Sequence, residues 1–289
     1  MGCGDLGLRV ARLWQAAGVP VRGLVRSAVG RRRLEAAAVA PLQADLDRPA
    51  GLPALRLGGA LVYYLLPPPP GGVADTRLAG FLAALRDPPA RWVHLSTTAV
   101  YGDCGGAWVD ETRPPRPATD RGRRRLDGER RLAAWAAGRA LCWTVLRVPG
   151  IYGPGRLPLA RLRAGRPLPP AAESGFTNRI HVDDLAAACL AAARRGRCGR
   201  VYNVSDGRPL RFTDYYRRVA RAWGLPPPPE APAAAGGYAG EFLAYLRESR
   251  RIDNRRMREE LGVELRYPDL DRGLAAIRGA EREARAGSP

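Results

Sequence analysis

The chain opens with Met1-Gly2-Cys3-Gly4-Asp5-Leu6-Gly7, three glycines spaced G-x-G-x-x-G ahead of a helical pattern that runs from Leu8 to Ala17 and stops at Gly18. In such a turn Gly2 would permit the tight bend and Gly4 the approach of a pyrophosphate to bare backbone. Gly7 would let the helix pack close, with the N–H groups of its first turn, around Asp5 and Leu6, facing the phosphates. Alone the pattern is weak evidence, because 34 of the 289 residues are glycine. Its meaning depends on what surrounds it. A turn of this kind joins a buried strand to a helix, and only Met1 stands ahead of Gly2.

Downstream, strand-length apolar runs alternate with helical patterns. The run Val19 to Val25 is followed by an Ala-rich helix around Leu34 to Ala38, a short segment ending Ala44-Asp45-Leu46, and the strand-like Ala60 to Leu66. Then come a helix from Asp75 to Leu85, the strand Arg91 to Ser96, a helix from Asp120 to Ala137 and the strand Cys142 to Val148. This alternation predicts an α/β fold with a doubly wound parallel sheet. After Gly150 it loosens into a Pro/Gly/Arg-rich stretch, Ile151 to Glu173, followed by a helix from Val182 to Arg195 and a strand from Val201 to Val204. Short helices are expected near Glu241–Arg247, Arg255–Leu261 and Leu270–Ala284. Segments of this kind form a cap over the carboxyl ends of the strands, where open α/β sheets bind ligands.

A hydrophobic content of 46% over 289 residues is enough for one large domain, or one domain with a smaller cap. The apolar run Ala60 to Leu66 ends in four prolines, far short of the roughly 20 residues a bilayer span needs. With no charged and apolar leader ahead of the first glycine, a cytoplasmic protein is expected. Five scattered cysteines without a CxxC pair, and two histidines, argue against a disulfide framework or a metal site. The formal charge of +19 invites a nucleic-acid reading, but all 47 basic residues are arginine, spread along the chain among abundant Ala, Gly and Pro. These residue types share GC-rich codons, so genome composition accounts for the charge, and polyanion binding is the minor alternative. Arg26 lies nineteen residues past Gly7, at the end of the next expected strand. An acidic residue near that place takes a ribose 2′-hydroxyl, whereas arginine suits a 2′-phosphate, so the sequence favours NADP over NAD.

Four further blocks are more specific. They are His94-Leu95-Ser96-Thr97-Thr98-Ala99-Val100-Tyr101-Gly102, Pro149-Gly150-Ile151-Tyr152-Gly153-Pro154-Gly155, Arg179-Ile180-His181-Val182-Asp183-Asp184-Leu185-Ala186 and Tyr202-Asn203-Val204-Ser205-Asp206-Gly207. In order and spacing they resemble the extended short-chain dehydrogenase/reductases, the NAD-dependent epimerase/dehydratase family. The resemblance, with the glycine turn in front, reaches to about residue 207. It implies a Rossmann domain over residues 1–149, completed by 181–207, and a substrate-binding cap formed by 150–180 and 208–289. It also implies a bound NAD(P) held by Gly2, Gly4, Asp5, Leu6, Gly7, Arg26, Asp45, Leu46 and Pro149, and a homodimer paired through two long helices.

The family's catalysis rests on a tyrosine, a lysine four residues later that lowers its pKa, and a Ser/Thr on the preceding strand. A phenol of pKa ~10 needs that cation to act near neutral pH. Setting Leu126 and Glu129 on the family's K-L-x-x-E run puts Arg121 in the tyrosine place and Arg125 in the lysine place. The chain holds no lysine at all. Arg125 can supply a fixed charge but cannot exchange a proton at working pH. Thr97 matches the Ser/Thr position, while Thr98-Ala99 stand where dehydratase members carry an acidic pair, which disfavours elimination. Tyr101 is the remaining candidate near the strand end, and Tyr152 and His181 fall in loops that the family places around the substrate. Each also has a plain structural role open to it. Asp183 and Asp184 are expected to cap their helix, and Pro67 to Pro70 to form a stiff wall beside the cofactor or a mere linker.

The resemblance therefore implies an atypical member that keeps the cofactor fold without the usual proton-transfer pair. It would act as an NADP-linked oxidoreductase or epimerase on a small, sugar-like or anionic substrate, or else serve as a non-catalytic NAD(P)-binding redox sensor. The strand that should precede Gly2 belongs in the middle of the sheet, between the strands ending near Val25 and Leu66. Without it two rows of backbone groups lack partners, at about 1–3 kcal/mol each. The expectation is that Met1 is not the natural start and that a strand of about five residues belongs ahead of it.

Overall fold

The computed structural model describes residues 1–48, 52, 54–232, 243, 246 and 248–286. The first third of the chain forms α1 (Asp5–Gln15), β1 (Arg22–Val25), α2 (Ala28–Glu35), β2 (Ala40–Gln43), β3 (Leu55–Arg56), β4 (Leu61–Tyr64), α3 (Thr76–Ala84), β5 (Leu85–Asp87) and β6 (Arg91–Thr97). Then follow β7 (Trp108–Val109), α4 (Asp120–Ala136), β8 (Cys142–Val148), β9 (Gly150–Tyr152), α5 (Leu159–Arg163), β10 (Phe176–Thr177), β11 (Arg179–His181), α6 (Val182–Arg195) and β12 (Arg200–Asn203). The chain closes with β13 (Leu210–Arg211), α7 (Phe212–Ala222), β14 (Arg251–Ile252), α8 (Arg255–Leu261) and α9 (Leu270–Ala286). The helix expected near Glu241–Arg247 lies almost wholly outside the described residues.

Four strands form the central sheet in the order β12-β8-β6-β4, every neighbouring pair parallel. Their side chains alternate between two covered faces, as the two-residue period of a strand requires. Val93, Leu95, Leu146 and Val148 pack with Leu6 and Val10 of α1 and Leu185 and Cys189 of α6. Trp92 and Val145 point the other way, into a core shared with Leu78 and Phe81 of α3 and Leu132 of α4. Side-chain caps fix where two of these helices begin. Asp75 accepts from Leu78 N at 3.0 Å to start α3, and Thr119 accepts from Gly122 N at 3.2 Å to start α4.

β1 and β2 pair with each other in a separate parallel sheet. Between β1 and β4 runs a groove of about 680 Å³, walled by Val21, Gly23, Leu61, Val62 and Tyr63 among others. Met1 makes one rung of a parallel ladder at its end: its ammonium donates to Tyr63 O at 2.7 Å, and Leu65 N donates to Met1 O at 3.0 Å. The doubly wound sheet is thus split between β1 and β4.

β3 and β5 pair in parallel just ahead of β4 and β6, and further short strand pairs gather near the carboxyl ends of the central strands. β9 pairs in parallel with β11, β10 antiparallel with β13, and β7 parallel with β14. A separate apolar core joins Leu162 of α5, Phe212 and Val219 of α7, and Leu274 and Ile277 of α9. One expectation is corrected here, for Cys142 and Cys198 form a disulfide, with Cα atoms 4.6 Å apart. The two are 56 residues apart in sequence, and spacing alone hid the pair. It arises because Cys142 opens β8, while Cys198 lies just ahead of β12, the strand that pairs beside it. Cys3, Cys104 and Cys189 are free thiols. Among the described residues no helix is long and apolar enough to cross a membrane.

Candidate functional site

The glycine turn has the form its spacing predicts. Gly2 has φ +77°, and a Cβ there would meet Leu66 at 3.0 Å. Gly7 packs so closely that a Cβ would lie 2.8 Å from Gly2 O, whereas a Cβ on Gly4 would meet none of the described residues beyond its chain neighbours within 4 Å. Gly4 is also the N-cap of α1 and provides no side-chain cap. The first-turn N–H groups of α1 are therefore left for an external acceptor. Asp5 would repel an anion, but its carboxylate is held by Arg9 and Arg156, both at 3.0 Å, and these contacts outweigh its partial burial to lower its pKa. Leu6 turns into the core. The open second glycine, the packed third and the uncapped helix end fit a pyrophosphate.

Arg26 follows β1, two-thirds exposed, and its guanidinium reaches Asp47 at 3.0 Å. Asp47 also binds Arg77, and that pairing lowers its pKa. Asp45 is spent on a turn, accepting from Asp47 N at 3.0 Å, and Leu46 is buried. Arg77 donates to the carbonyls of Pro67 and Pro68, which pins the start of the proline segment.

A second cavity, of about 430 Å³, opens at the carboxyl end of β6. Thr97, Thr119, Arg121, Pro149, Asn178 and Glu248 are among its lining residues. Thr97 ends the strand and accepts from Ala99 N at 3.2 Å. Arg125, one helical turn beyond Arg121 on α4, donates to Leu66 O at 3.1 Å and Leu95 O at 2.8 Å. It ties the ends of β4 and β6 together. Burial lowers its pKa to about 10, aided by the charge of Arg121 and opposed by Asp75. It remains a cation at working pH. Arg121 is exposed and has no hydrogen-bond or ion-pair partner among the described residues.

Three residues expected near the substrate are instead turned into packing, and this corrects the sequence reading. Tyr101 is 1% exposed and donates to Asn203 Oδ1 at 2.8 Å, with burial pushing its pKa up to about 12. Tyr152 is fully buried, donates to Asp269 O at 3.3 Å and has a raised pKa because of that burial. His181 is wedged edge-on against Tyr152 and beside Tyr267, and burial lowers its pKa to about 4. Its Nδ1 accepts from Asp183 N at 3.2 Å, so His181 itself caps α6. The expected caps have other work. Asp183 binds Arg9, and Asp184 accepts from Arg266 N at 2.8 Å and Tyr267 N at 3.0 Å, anchoring the segment ahead of α9. The cavity thus has Thr97 and Pro149 in its wall, whereas Arg125 is held on the carbonyls of Leu66 and Leu95, and Tyr101, Tyr152 and His181 are turned into packing.

Beneath the cavity lies a buried polar network. Glu129 of α4 accepts from Ser96 of β6 and pairs with Arg147 of β8 at 2.7 Å, and the Arg147 guanidinium stacks over Tyr101 at 4.8 Å. Sequence reasoning missed Glu248, Asn178 and Arg250. Glu248 Oε2 pairs with Arg250 at 2.7 Å, and Arg250 also donates to Gly102 O. Among the described residues, Glu248 Oε1 is buried without a hydrogen-bond partner. No local motif marks Glu248, because tertiary contacts, the pairing of β14 with β7 and the hydrogen bonds of Ser249, Arg250 and Ile252 to Asp103, Gly102 and Asn178, carry this distant segment to the end of β6.

Comparison with known proteins adds an independent line. The model of the NAD-dependent epimerase/dehydratase family matches residues 76–205. Protein YeeZ of Escherichia coli K12 is 32% identical over 222 residues, covering 75% of this chain and 70% of its own length. A solved structure of a conserved protein of unknown function from Silicibacter pomeroyi is 33% identical, with a TM-score of 0.81 and 96% of each chain covered. UDP-glucose 4-epimerase of Thermus thermophilus, solved with NAD, shares the fold at 22% identity, with a TM-score of 0.73 over 98% of this chain and 97% of its own.

Proposed function

The chain belongs to the NAD-dependent epimerase/dehydratase family, and from that premise we propose that it binds a nicotinamide dinucleotide at the Gly2–Gly7 turn, prefers NADP, and acts as an oxidoreductase or epimerase on a small sugar-like or anionic substrate. The observation that carries this reading is the open face of Gly4 at the uncapped start of α1. Gly2, Gly4 and Gly7 would hold the pyrophosphate, and Arg26 would meet the 2′-phosphate by exchanging part of its pairing with Asp47. The nicotinamide, once bound, supplies the hydride donor or acceptor. Thr97 would hydrogen-bond the reacting oxygen, and Arg125 would hold positive charge beside it without moving a proton.

A second reading, a redox-sensing regulator, is favoured by one observation: neither Tyr101 nor Tyr152 can serve as a proton shuttle where it stands. Calorimetric titration with NADPH and NADH tests the shared premise, and micromolar binding with NADPH tighter is expected. Turnover of NADPH with a panel of sugars, aldehydes and ketones supports the enzyme, whereas binding without turnover supports the sensor. Failure of both dinucleotides to bind refutes both readings.

A further inference from the structure

We propose that the cavity at the end of β6 is a binding site for a hydroxylated anion, with Arg121 gripping its carboxylate or phosphate and Glu248 Oε1 accepting a hydrogen bond from one of its hydroxyls. The proposal rests on the reading of this cavity as the substrate site and adds the substrate class and the two residues that recognise it.

Asp120, the carboxylate nearest Arg121 in sequence, is engaged by Arg123 at 2.6 Å. Glu248, the acid in the cavity wall, is balanced by Arg250. Arg121 is therefore the cavity's uncompensated charge, and it stands in the first turn of α4, where the helix dipole adds to the positive potential. Cations are disfavoured at that end of a helix unless an anion meets them. A guanidinium presents paired donors that match the two oxygens of a carboxylate or phosphate.

Glu248 supplies the second pole. Its side chain is 4% exposed, and one oxygen is spent on Arg250 while the other has no partner among the described residues. A buried acceptor left unsatisfied costs about 1–3 kcal/mol, and a ligand hydroxyl in the cavity would satisfy it. A carboxylate accepts from hydroxyls and repels other carboxylates, so it sets the orientation: the oxyanion lies toward α4 and the hydroxyl toward β14. Thr97, Thr119 and Asn178 line the same space and offer further partners to a polyol. A neutral sugar meets only part of this arrangement, and so does a simple anion.

Equilibrium binding of three compounds with one carbon frame tests the proposal: D-glucuronate, D-glucose 1-phosphate and D-glucose, followed by calorimetry in low salt. At least one of the two anions should bind about tenfold or more tighter than glucose; which of them binds tells a carboxylate site from a phosphate site. Arg121→Gln should abolish that preference without shifting Tm, because the side chain is exposed, and Arg121→Lys should restore part of it. Acetate and inorganic phosphate, which lack hydroxyls, should bind more weakly than their sugar counterparts. Equal affinity for glucose and both anions, an unchanged preference in Arg121→Gln, or no binding of either anion at millimolar concentration would overturn the proposal. NADPH binding measured on the same samples keeps the outcomes distinct. If the dinucleotide binds and the anions fail, only this inference falls.

Discussion

Gly4 and Gly7 lie three residues apart in one turn, yet their backbones face different surroundings. At Gly4 an added side chain would project into open space, so Gly4→Val is expected to fold and melt like the parent while losing about tenfold or more in dinucleotide affinity. At Gly7 the same change would drive a Cβ against Gly2 O, so Gly7→Val should destabilise by about 1–3 kcal/mol as measured by urea unfolding. Arg26→Asp should weaken NADPH and spare NADH, and a variant that keeps full NADPH affinity would refute the cofactor preference. The glycines were legible from sequence because their constraint is local. Tyr101, Tyr152 and His181 were not, since nothing in a linear motif tells whether an aromatic ring faces a cavity or the packed side of the same strand end. The packing of β6, β9 and β11 decided it. Glu248 is the opposite case: nothing near it in sequence predicts a site, and only contacts between distant segments bring it there.

Among the elements, α4 does the most to hold the site, because its Glu129 is locked to Arg147 of β8 and Ser96 of β6 inside the core. Removing one partner leaves a buried charge without compensation, so Glu129→Ala should cost about 3–5 kcal/mol in urea unfolding, while a surface pair such as Arg31–Glu35 should cost almost nothing. β6 and β8 were readable directly as apolar runs of strand length, and α6 and α8 end where their helical patterns end. The pairing of Cys142 with Cys198 was not readable, since it depends on β12 lying beside β8, and register between distant strands leaves no trace in cysteine spacing. Closing a loop of that length is worth up to about 4 kcal/mol. A reductant should therefore lower the denaturant midpoint, and a Cys142→Ser, Cys198→Ser double variant should show the lower value with or without it.

For the whole molecule, two features govern stability. Burial lowers the pKa of His94 to about 3, with Arg125 contributing, and that of His181 to about 4. Both values lie below the ~6.5 of an unfolded chain. The unfolded state therefore binds the extra proton first, and stability falls as pH drops from about 6.5 toward 4. Asp206, raised by burial to about 7, has the opposite slope, its contribution being lost as pH rises toward 7. Comparison with a variant separates the two. His94 is stacked on Tyr64, and neither of its nitrogens has a hydrogen-bond partner among the described residues, so His94→Phe should preserve the stack and give a shallower decline of Tm between pH 6.5 and 4 than the parent shows. The second feature is the groove between β1 and β4. It has the edges of a strand seat, and Met1 already makes a rung there. Lengthening the chain ahead of Met1 by about five β-branched residues should join the two sheets and raise Tm, and an unchanged Tm would show that the groove does not accept a strand.

Where a dinucleotide rests on the protein decides its function. Crystals grown with NADP are the most direct test. The predicted result is a pyrophosphate lying over Gly4 and hydrogen-bonded to the first-turn N–H groups of α1, with the nicotinamide end directed toward Thr97 and Arg125. Density for the dinucleotide anywhere else, or a bare turn in crystals saturated with both NADP and NAD, would contradict it.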